Sequence, residues 1–137
     1  MAYDPEIDGF ITNVVQFGSH YRIEDMERLY TADQSILFVA ADQTVARAPR
    51  EAMMAEFAAR GAAGDAPLST EHKVLHIEQQ GDHATAILYR RMSPNHPPAM
   101  YELRLRKEQV GWQVAGETVI AWPRAEDAED FLPPRGR

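Results

Sequence analysis

Hydrophobic residues recur at helical spacing in the first half of the chain and alternate with polar residues in the second half. Asp4 and Pro5 are typical of a helix start, and Gly18 suits the end of the helix that follows. The apolar stripe between them consists of Ile7, Phe10, Ile11, Val14 and Phe17. The same spacing returns in residues 23–30 and again after Pro49. The N-terminal half is therefore predicted to hold three helices.

Runs of strand-forming residues predict a sheet. Residues 35–40 and 44–47 predict a short hairpin, because Asp42 and Gln43 interrupt them. Four longer strands are predicted at residues 70–78, 83–92, 100–107 and 111–122, with a proline-rich loop at residues 93–98. Helices that stay separate in sequence from an antiparallel sheet indicate an α+β fold. We predict a single domain at residues 1–123 and a polar tail at residues 124–137.

The composition fits one globular domain in the cytoplasm. The chain has 137 residues, of which 45% are hydrophobic and 26% are charged. Its longest apolar run, Ile36–Ala41, is far shorter than the roughly 20 residues of a membrane-spanning helix. The first ten residues carry acids where a signal peptide would need basic residues. We therefore expect a cytoplasmic protein that does not associate with a membrane.

Several classes of chemistry are disfavoured by residues that the chain lacks. It has no cysteine, which excludes disulfides, thiolate catalysis and cysteine-bound zinc. The net charge of −7 opposes binding to nucleic acid. His72 and His76 are four residues apart, but on a strand their rings would lie about 13 Å apart, too far to share one ion. Gly61 and Gly64 lack the Lys and Ser or Thr of a phosphate loop. We expect no metal and no cofactor.

Four segments carry a resemblance to a known superfamily. They are IEDMERLYTADQSILFV (residues 23–39), APREAMMAEF (48–57), QQGDHATAILY (79–89) and YELRLRKEQVGWQV (101–114). In order and spacing the chain resembles the nuclear-transport-factor-2-like superfamily, also called the polyketide-cyclase-like (SnoaL-like) or ketosteroid-isomerase-like cone fold. The resemblance covers roughly residues 4–122. Within the superfamily, the chain is most similar to small bacterial proteins of unknown function.

The resemblance implies an architecture and an assembly. It implies a strongly curved, mainly antiparallel sheet of about six strands, wrapped around three helices. An apolar cavity at the open end of the cone would accept a small organic ligand. The resemblance also implies a homodimer that forms through the outer face of the sheet.

The catalytic residues of the steroid isomerases are matched only in part. Those members use an aspartate near the end of the first strand as a general base. The matching segment here, residues 37–40, contains no acid, and Asp42 is predicted to lie in the turn. Tyr101 and Glu102 are adjacent on a strand, so they face opposite sides of the sheet and do not form a donor pair.

Glu117 is the candidate catalytic residue, and its orientation is ambiguous. Strand alternation places Trp112 and Val114 on the core face and Glu117 on the outer face. The resemblance instead places Glu117 on the cavity wall. The core-facing Val114 and a cavity-facing Glu117 are compatible only if a β-bulge near Gly116 changes the alternation partway along the strand.

Two functions remain open. One is a binding or dimerisation module without catalysis, and the other is a cofactor-independent isomerase, dehydratase or cyclase that acts on a small carbonyl, polyketide-like or steroid-like compound. In the second case Glu117 would be the acid or base, with Tyr89 or His76 as hydrogen-bond donor. The residues expected to line the pocket are Tyr30, Phe38, Phe57, His76, Tyr89, Tyr101 and Trp112.

Overall fold

A computed structural model describes residues 3–93 and 98–121. Its three helices are α1 (Glu6–Ser19), α2 (Ile23–Glu27) and α3 (Arg50–Ala62). Its six strands are β1 (Ser35–Val39), β2 (Val45–Pro49), β3 (His72–Gln80), β4 (His83–Arg90), β5 (Ala99–Glu108) and β6 (Gly111–Ala121). Within these residues, no helix has both the length and the apolar character needed to span a membrane.

The six strands form one mixed sheet in the order β2-β1-β6-β5-β4-β3. Strands β3 to β6 follow one another as an antiparallel meander, and β1 and β2 form an antiparallel hairpin. The hairpin joins the meander through β1, which runs parallel to β6. Three helices in the N-terminal half and a six-stranded, mainly antiparallel sheet confirm the α+β prediction.

Helix α1 begins one residue later than the sequence predicts. Pro5 is the cap residue, and Asp4 still caps the helix because its Oδ1 accepts a hydrogen bond from the backbone N–H of Glu6 at 3.0 Å. The prediction that Gly18 ends the helix was wrong. Gly18 is a buried residue of the last turn, and the chain leaves the helix through Tyr21, whose φ of 56° is in the left-handed region.

The core lies between the helices and the inner face of the sheet. The stripe on α1 contributes Ile7, Ile11 and Val14, all of which are buried. These side chains belong to one apolar cluster with Leu105 of β5 and Val114 of β6. Burial of the stripe stabilises the domain because it removes apolar surface from water.

Helix α2 is shorter than the predicted 23–30, since it ends at Glu27. The residues after it run beside β6: Tyr30 forms an isolated parallel bridge with Val114. The N–H of Val114 donates to the carbonyl of Leu29 at 2.7 Å, and the N–H of Thr31 donates to the carbonyl of Val114 at 3.0 Å. Tertiary pairing therefore replaces the last predicted turn of the helix.

Some sequence predictions lie outside the described residues. They concern the tail at residues 124–137 with the domain boundary that precedes it, Trp122 as the last residue of the predicted strand 111–122, and the centre of the proline-rich loop at residues 94–97.

Candidate functional site

A β-bulge in β6 determines where Glu117 points. Arg104 of β5 pairs with Gly116, but the next residue, Leu105, pairs with Val114, so Ala115 is an extra residue without a partner on β5. Val114 therefore faces the core before the bulge, and Glu117 faces it after the bulge. This arrangement resolves the conflict in the sequence: the apolar alternation holds up to Val114, and the alternation expected from the resemblance holds from Glu117 onward.

Glu117 is a buried acid with no partner among the described residues. Its side chain is 6% exposed, it lies beside Ile36 of β1 and Leu103 of β5, and it makes no hydrogen bond or ion pair with the described part of the chain. Burial raises the pKa of Glu117 to about 7, and the positive charges of Arg90 and Arg104 oppose that rise. Near neutral pH the carboxyl group is therefore able both to donate and to accept a proton.

Two buried tyrosines share the interior with Glu117. Tyr30 is held beside the bulge by its bridge to Val114, and Tyr101 belongs to the inward-facing set of β5. Burial raises the pKa of Tyr101 to about 12. Burial also raises the pKa of Tyr30, and the charge of Glu117 adds to that rise. Both phenols therefore keep their protons at physiological pH and are available as hydrogen-bond donors.

Arg90 is the positive group of this interior. It is 8% exposed, it is the last inward-facing residue of β4, and its guanidinium lies 5.6 Å from the centre of the Tyr101 ring. Its Nη2 donates to the hydroxyl of Ser19 on α1 at 3.0 Å. The Nε of Arg90 is buried without a hydrogen-bond partner in the described structure. Arg90 and Glu117 form no ion pair with each other, although both are buried.

These side chains surround a cavity of about 290 Å³. Its walls come from α1, from α3 and from the inner face of the sheet, and most of them are apolar. In the interior, the polar part of the lining comes from Glu117, Arg90, Tyr30 and Tyr101. At the α3 side the lining includes Glu56 and Arg60, whose ion pair of 3.1 Å is largely exposed to solvent. A ligand-sized apolar cavity with a few convergent polar groups is the usual form of a small-molecule site.

The residues expected at the pocket divide into two groups. Tyr30, Phe38, Phe57, Tyr101 and Glu117 line the cavity. His76, Tyr89 and Trp112 do not line it, so the expected role of Tyr89 or His76 as donor to Glu117 is not supported. Tyr30 and Tyr101 are the tyrosines that line the cavity together with Glu117.

Strand alternation explains two of the corrections. His76 is exposed and lies 3.6 Å from Glu78, because it alternates with the buried Ile77 and pairs with Ile87 on the outer face. Tyr89 is directly opposite Met100 on that same outer face.

Trp112 faces inward but lies at the far end of the core. Its indole N–H donates to Oδ2 of Asp4 at 2.9 Å, and the ammonium group of Lys107 lies 5.8 Å from the centre of its ring. The tryptophan therefore fastens the start of α1 to the sheet and does not contact the cavity.

The first strand carries no acid at the cavity, as the sequence indicates. Phe38 takes the inward position next to Val119 of β6. Asp42 is exposed in the turn, where its Oδ1 accepts hydrogen bonds from the backbone N–H and the hydroxyl of Thr44. The general base of the steroid isomerases therefore has no counterpart at this position.

Arg90 was missed in the sequence, although a signal for it was present. The inward-facing residues of β4 are Ala84, Ala86, Leu88 and Arg90. A cation at the end of an otherwise apolar alternation indicates a buried charge and therefore a polar site. Within the described residues, no group of three or more potential metal ligands comes together.

The sequence has no match among protein-family models or among curated proteins. Solved structures do match. An NTF2-like protein of unknown function from Shewanella baltica OS155 has a TM-score of 0.70 and 15% identity, and the match covers 90% of this chain and 99% of that one. An NTF-2-like protein of unknown function from Silicibacter pomeroyi DSS-3 has a TM-score of 0.69 and 13% identity, with 85% and 92% covered.

A third similar structure is an NTF2-like protein from Cytophaga hutchinsonii ATCC 33406, with a TM-score of 0.65, 15% identity, and 89% and 100% covered. The molecule is therefore an α+β protein with the NTF2-like fold. Fold alone does not assign a chemistry, because activity depends on the site and not on the architecture.

Proposed function

We propose that this protein binds one small, largely apolar organic molecule in the cavity, with a polar group of that molecule next to Glu117. The observation that carries the proposal is a buried carboxyl group, with no hydrogen bond or ion pair to the described residues, at the wall of a cavity of about 290 Å³. Burying a polar group without a hydrogen bond is costly, and a ligand that supplies the bond would offset the cost.

The shape and lining of the cavity define the ligand class. Its volume is near the lower end of the range of about 300–1,000 Å³ that is usual for ligand sites. Apolar side chains such as Val14, Met53 and Leu103 suit a hydrocarbon or aromatic body. The tyrosine hydroxyls and Glu117 suit one oxygen-containing end group, such as a carbonyl.

Thermal-shift measurements with 2-acetonaphthone, an aromatic ketone, test binding directly. A ligand that binds only the folded state raises the melting temperature by mass action. The matched variants are Val119→Phe, which fills space in the cavity, and Ile120→Phe, which adds the same ring on the outer face. We expect the ketone to stabilise the wild type and Ile120→Phe but not Val119→Phe. Equal stabilisation of both variants would place binding outside the cavity.

A second function, proton transfer next to a carbonyl group, is favoured by one further observation. Glu117 has a pKa of about 7 and shares the cavity with two protonated phenols, which are the groups needed to move a proton and to stabilise an enolate oxygen. A protein with this second function would be a cofactor-independent isomerase, dehydratase or cyclase.

Exchange of the methyl protons of 2-acetonaphthone in D₂O, followed by NMR, tests this second function. Catalysis by Glu117 predicts exchange with the wild type and loss of most of that exchange with Glu117→Gln. If the ketone binds and its exchange rate equals that of buffer, the protein is a binding protein for this class of compound and not a catalyst of enolisation.

A further inference from the structure

Arg90 has more hydrogen-bonding capacity than the described structure uses. A guanidinium carries five N–H donors, and the contact with Ser19 accounts for one of them. Nε is buried with no partner among the described residues, and the whole side chain is 8% exposed, so the N–H of Nε is shielded from bulk water. A buried charge is normally paired, since an unpaired one is strongly disfavoured.

The nearby acid does not fill this role. Glu117 forms no ion pair with Arg90, and burial favours its neutral form. The ring of Tyr101 contacts the guanidinium but supplies no lone pair for a strong hydrogen bond. When Glu117 is protonated, the described residues that line the interior of the cavity carry one net positive charge. This sum leaves out the solvent-exposed Glu56–Arg60 pair.

We propose that the ligand of this cavity is a small monocarboxylate, an apolar molecule with one carboxylate group that accepts hydrogen bonds from Arg90. This inference rests on the proposed function, since it names the ligand class for the same cavity. Arginine suits the role because its planar donors match the two oxygens of a carboxylate. The neutral carboxyl of Glu117 and the phenols of Tyr30 and Tyr101 are further donors on the same cavity wall.

The charges around Glu117 predict how binding depends on pH. Arg90 comes from β4, Tyr101 from β5 and Tyr30 from the segment after α2, while Arg104 acts on Glu117 from the outer face. Glu117 titrates near neutrality, since its pKa is about 7. Its ionisation places a negative charge beside the bound carboxylate, so affinity should fall as the pH rises from 6 to 8.

The remaining charged groups that line the cavity are Glu56 and Arg60 of α3, which are paired with each other and exposed. Among the described lining residues, α1 contributes no titratable group and no histidine is present. Arg60 is the one alternative cation for a carboxylate among these residues, and it is therefore included in the test.

The experiment compares 2-naphthoate with 2-naphthamide, which have nearly the same shape but differ in charge. Calorimetry with the wild type should show binding of naphthoate at least about tenfold tighter than of naphthamide, since hydrogen bonds to charged groups are the stronger ones. Arg90→Met should lose this preference. Arg91→Met is the matched control, because Arg91 is the next residue and pairs with Glu71 outside the cavity. Arg60→Met tests the other cation.

The outcomes separate this inference from the proposed function. If naphthamide and 2-acetonaphthone bind as tightly as naphthoate, the monocarboxylate inference is wrong and the cavity still binds a small molecule. If none of the three compounds binds, both proposals fail. Loss of naphthoate binding in Arg60→Met and not in Arg90→Met also overturns the inference.

One outcome does not depend on how well Arg90→Met folds. The wild type alone must prefer naphthoate to naphthamide, and the preference must be larger at pH 6 than at pH 8. Arg90→Lys keeps the positive charge in the interior and should retain part of the preference. A wild type that shows no preference at either pH contradicts the inference without any variant.

Discussion

The guanidinium of Arg104 lies directly over the α-carbon of Gly116 on the outer face of the sheet. A Cβ at residue 116 would stand 2.6 Å from Nη2 of Arg104 and 2.9 Å from its Nε. Arg104 also bonds Glu102 and Thr118 through Nη1, so its side chain is held across the bulge. The absence of a side chain at residue 116 thus allows a cation to sit behind the strand that carries Glu117.

Gly116→Ala should displace Arg104 and change the titration of Glu117. The atoms that would clash are at the end of a flexible side chain, so we expect a loss of stability below about 1 kcal/mol, the usual size for a partly exposed ion pair. Because Arg104 holds down the pKa of Glu117, its displacement should raise that pKa further. NMR titration of the Glu117 side-chain carbon measures the change.

Gly9→Ala is the control for this substitution. Gly9 lies in α1 with open space around it, so an added methyl group should leave the Glu117 titration unchanged. It should also stabilise the helix by about 0.5–1 kcal/mol, because glycine is unfavourable in a helix interior. An equal pKa of Glu117 in Gly116→Ala and in the wild type would contradict the role given to Arg104.

The stability of the domain should fall as the pH rises from about 4.5 to about 7. Burial raises the pKa of Glu117 from 4.5 to about 7, so between these values the folded state holds a proton that the unfolded state has released. The folded state is then disfavoured by up to about 3 kcal/mol, at about 1.4 kcal/mol per pH unit, and the loss stays constant above the folded pKa.

Glu117→Gln should remove this part of the pH dependence. Urea unfolding at pH 5, 6, 7 and 8 should show that the free energy of unfolding of the variant increases relative to that of the wild type as the pH rises. Glu78→Gln, a change of an exposed acid on β3, should follow the wild-type profile. If the difference between wild type and Glu117→Gln is the same at pH 5 and pH 8, Glu117 does not titrate as proposed.

Trp112 should matter for stability and not for ligand binding. It is 5% exposed, and truncation of such a residue to alanine typically costs about 3–5 kcal/mol. Trp112→Phe keeps an aromatic ring, smaller than the indole, but loses the hydrogen bond to Asp4, so we expect a smaller fall of the urea midpoint than for alanine. Binding of 2-acetonaphthone should stay within a factor of about two of the wild type, since no cavity contact is removed. A much weaker affinity would show that Trp112 contributes to the binding pocket.

A homodimer through the outer face of the sheet remains a prediction. The strand register places Val39, Ile120, Met100 and Tyr89 in one row across four neighbouring strands, on the face opposite the cavity. Such a continuous apolar row suits contact with a second copy. We expect light scattering to report a dimer for the wild type and a monomer for Met100→Lys.

The control for the dimer is Val110→Lys. Val110 is 76% exposed in the turn between β5 and β6, away from the row, so a lysine there should leave the dimer intact. A monomeric wild type, or a dimeric Met100→Lys variant that is still folded, would show that this row does not mediate assembly.

The elements of this fold were accessible from the sequence because each one carries a local signal. The α1 stripe, the Asp42 turn and the alternation in β4 and β5 depend on residues close together in the chain. The position of Tyr30 was not accessible in this way, because a pairing with Val114 ends α2 early. The environment of Arg90 depends equally on Ser19, which is 71 residues away.

The site was predictable in part for the same reason. Residues that face the cavity through simple alternation, such as Phe38 and Tyr101, followed from pattern and resemblance. His76 did not, because Ile77 is the buried residue of this part of β3, which places His76 on the outer face. The direction of Glu117 required the pairing of β5 with β6, which no local pattern contains.

The unpaired Ala115 is a one-residue bulge that changes which of the following residues of β6 point inward. If Ala115 were instead paired in a regular strand, β6 would continue in a single alternation after Val114, and the inward positions would fall to Thr118 and Ile120. The carboxyl group would then sit among the charges of the outer surface, while a hydroxyl took its place in the interior. Regular pairing of this one alanine would therefore exchange the inside and the outside of the strand end that bears the acid, whereas its deletion would keep Glu117 on the inner face.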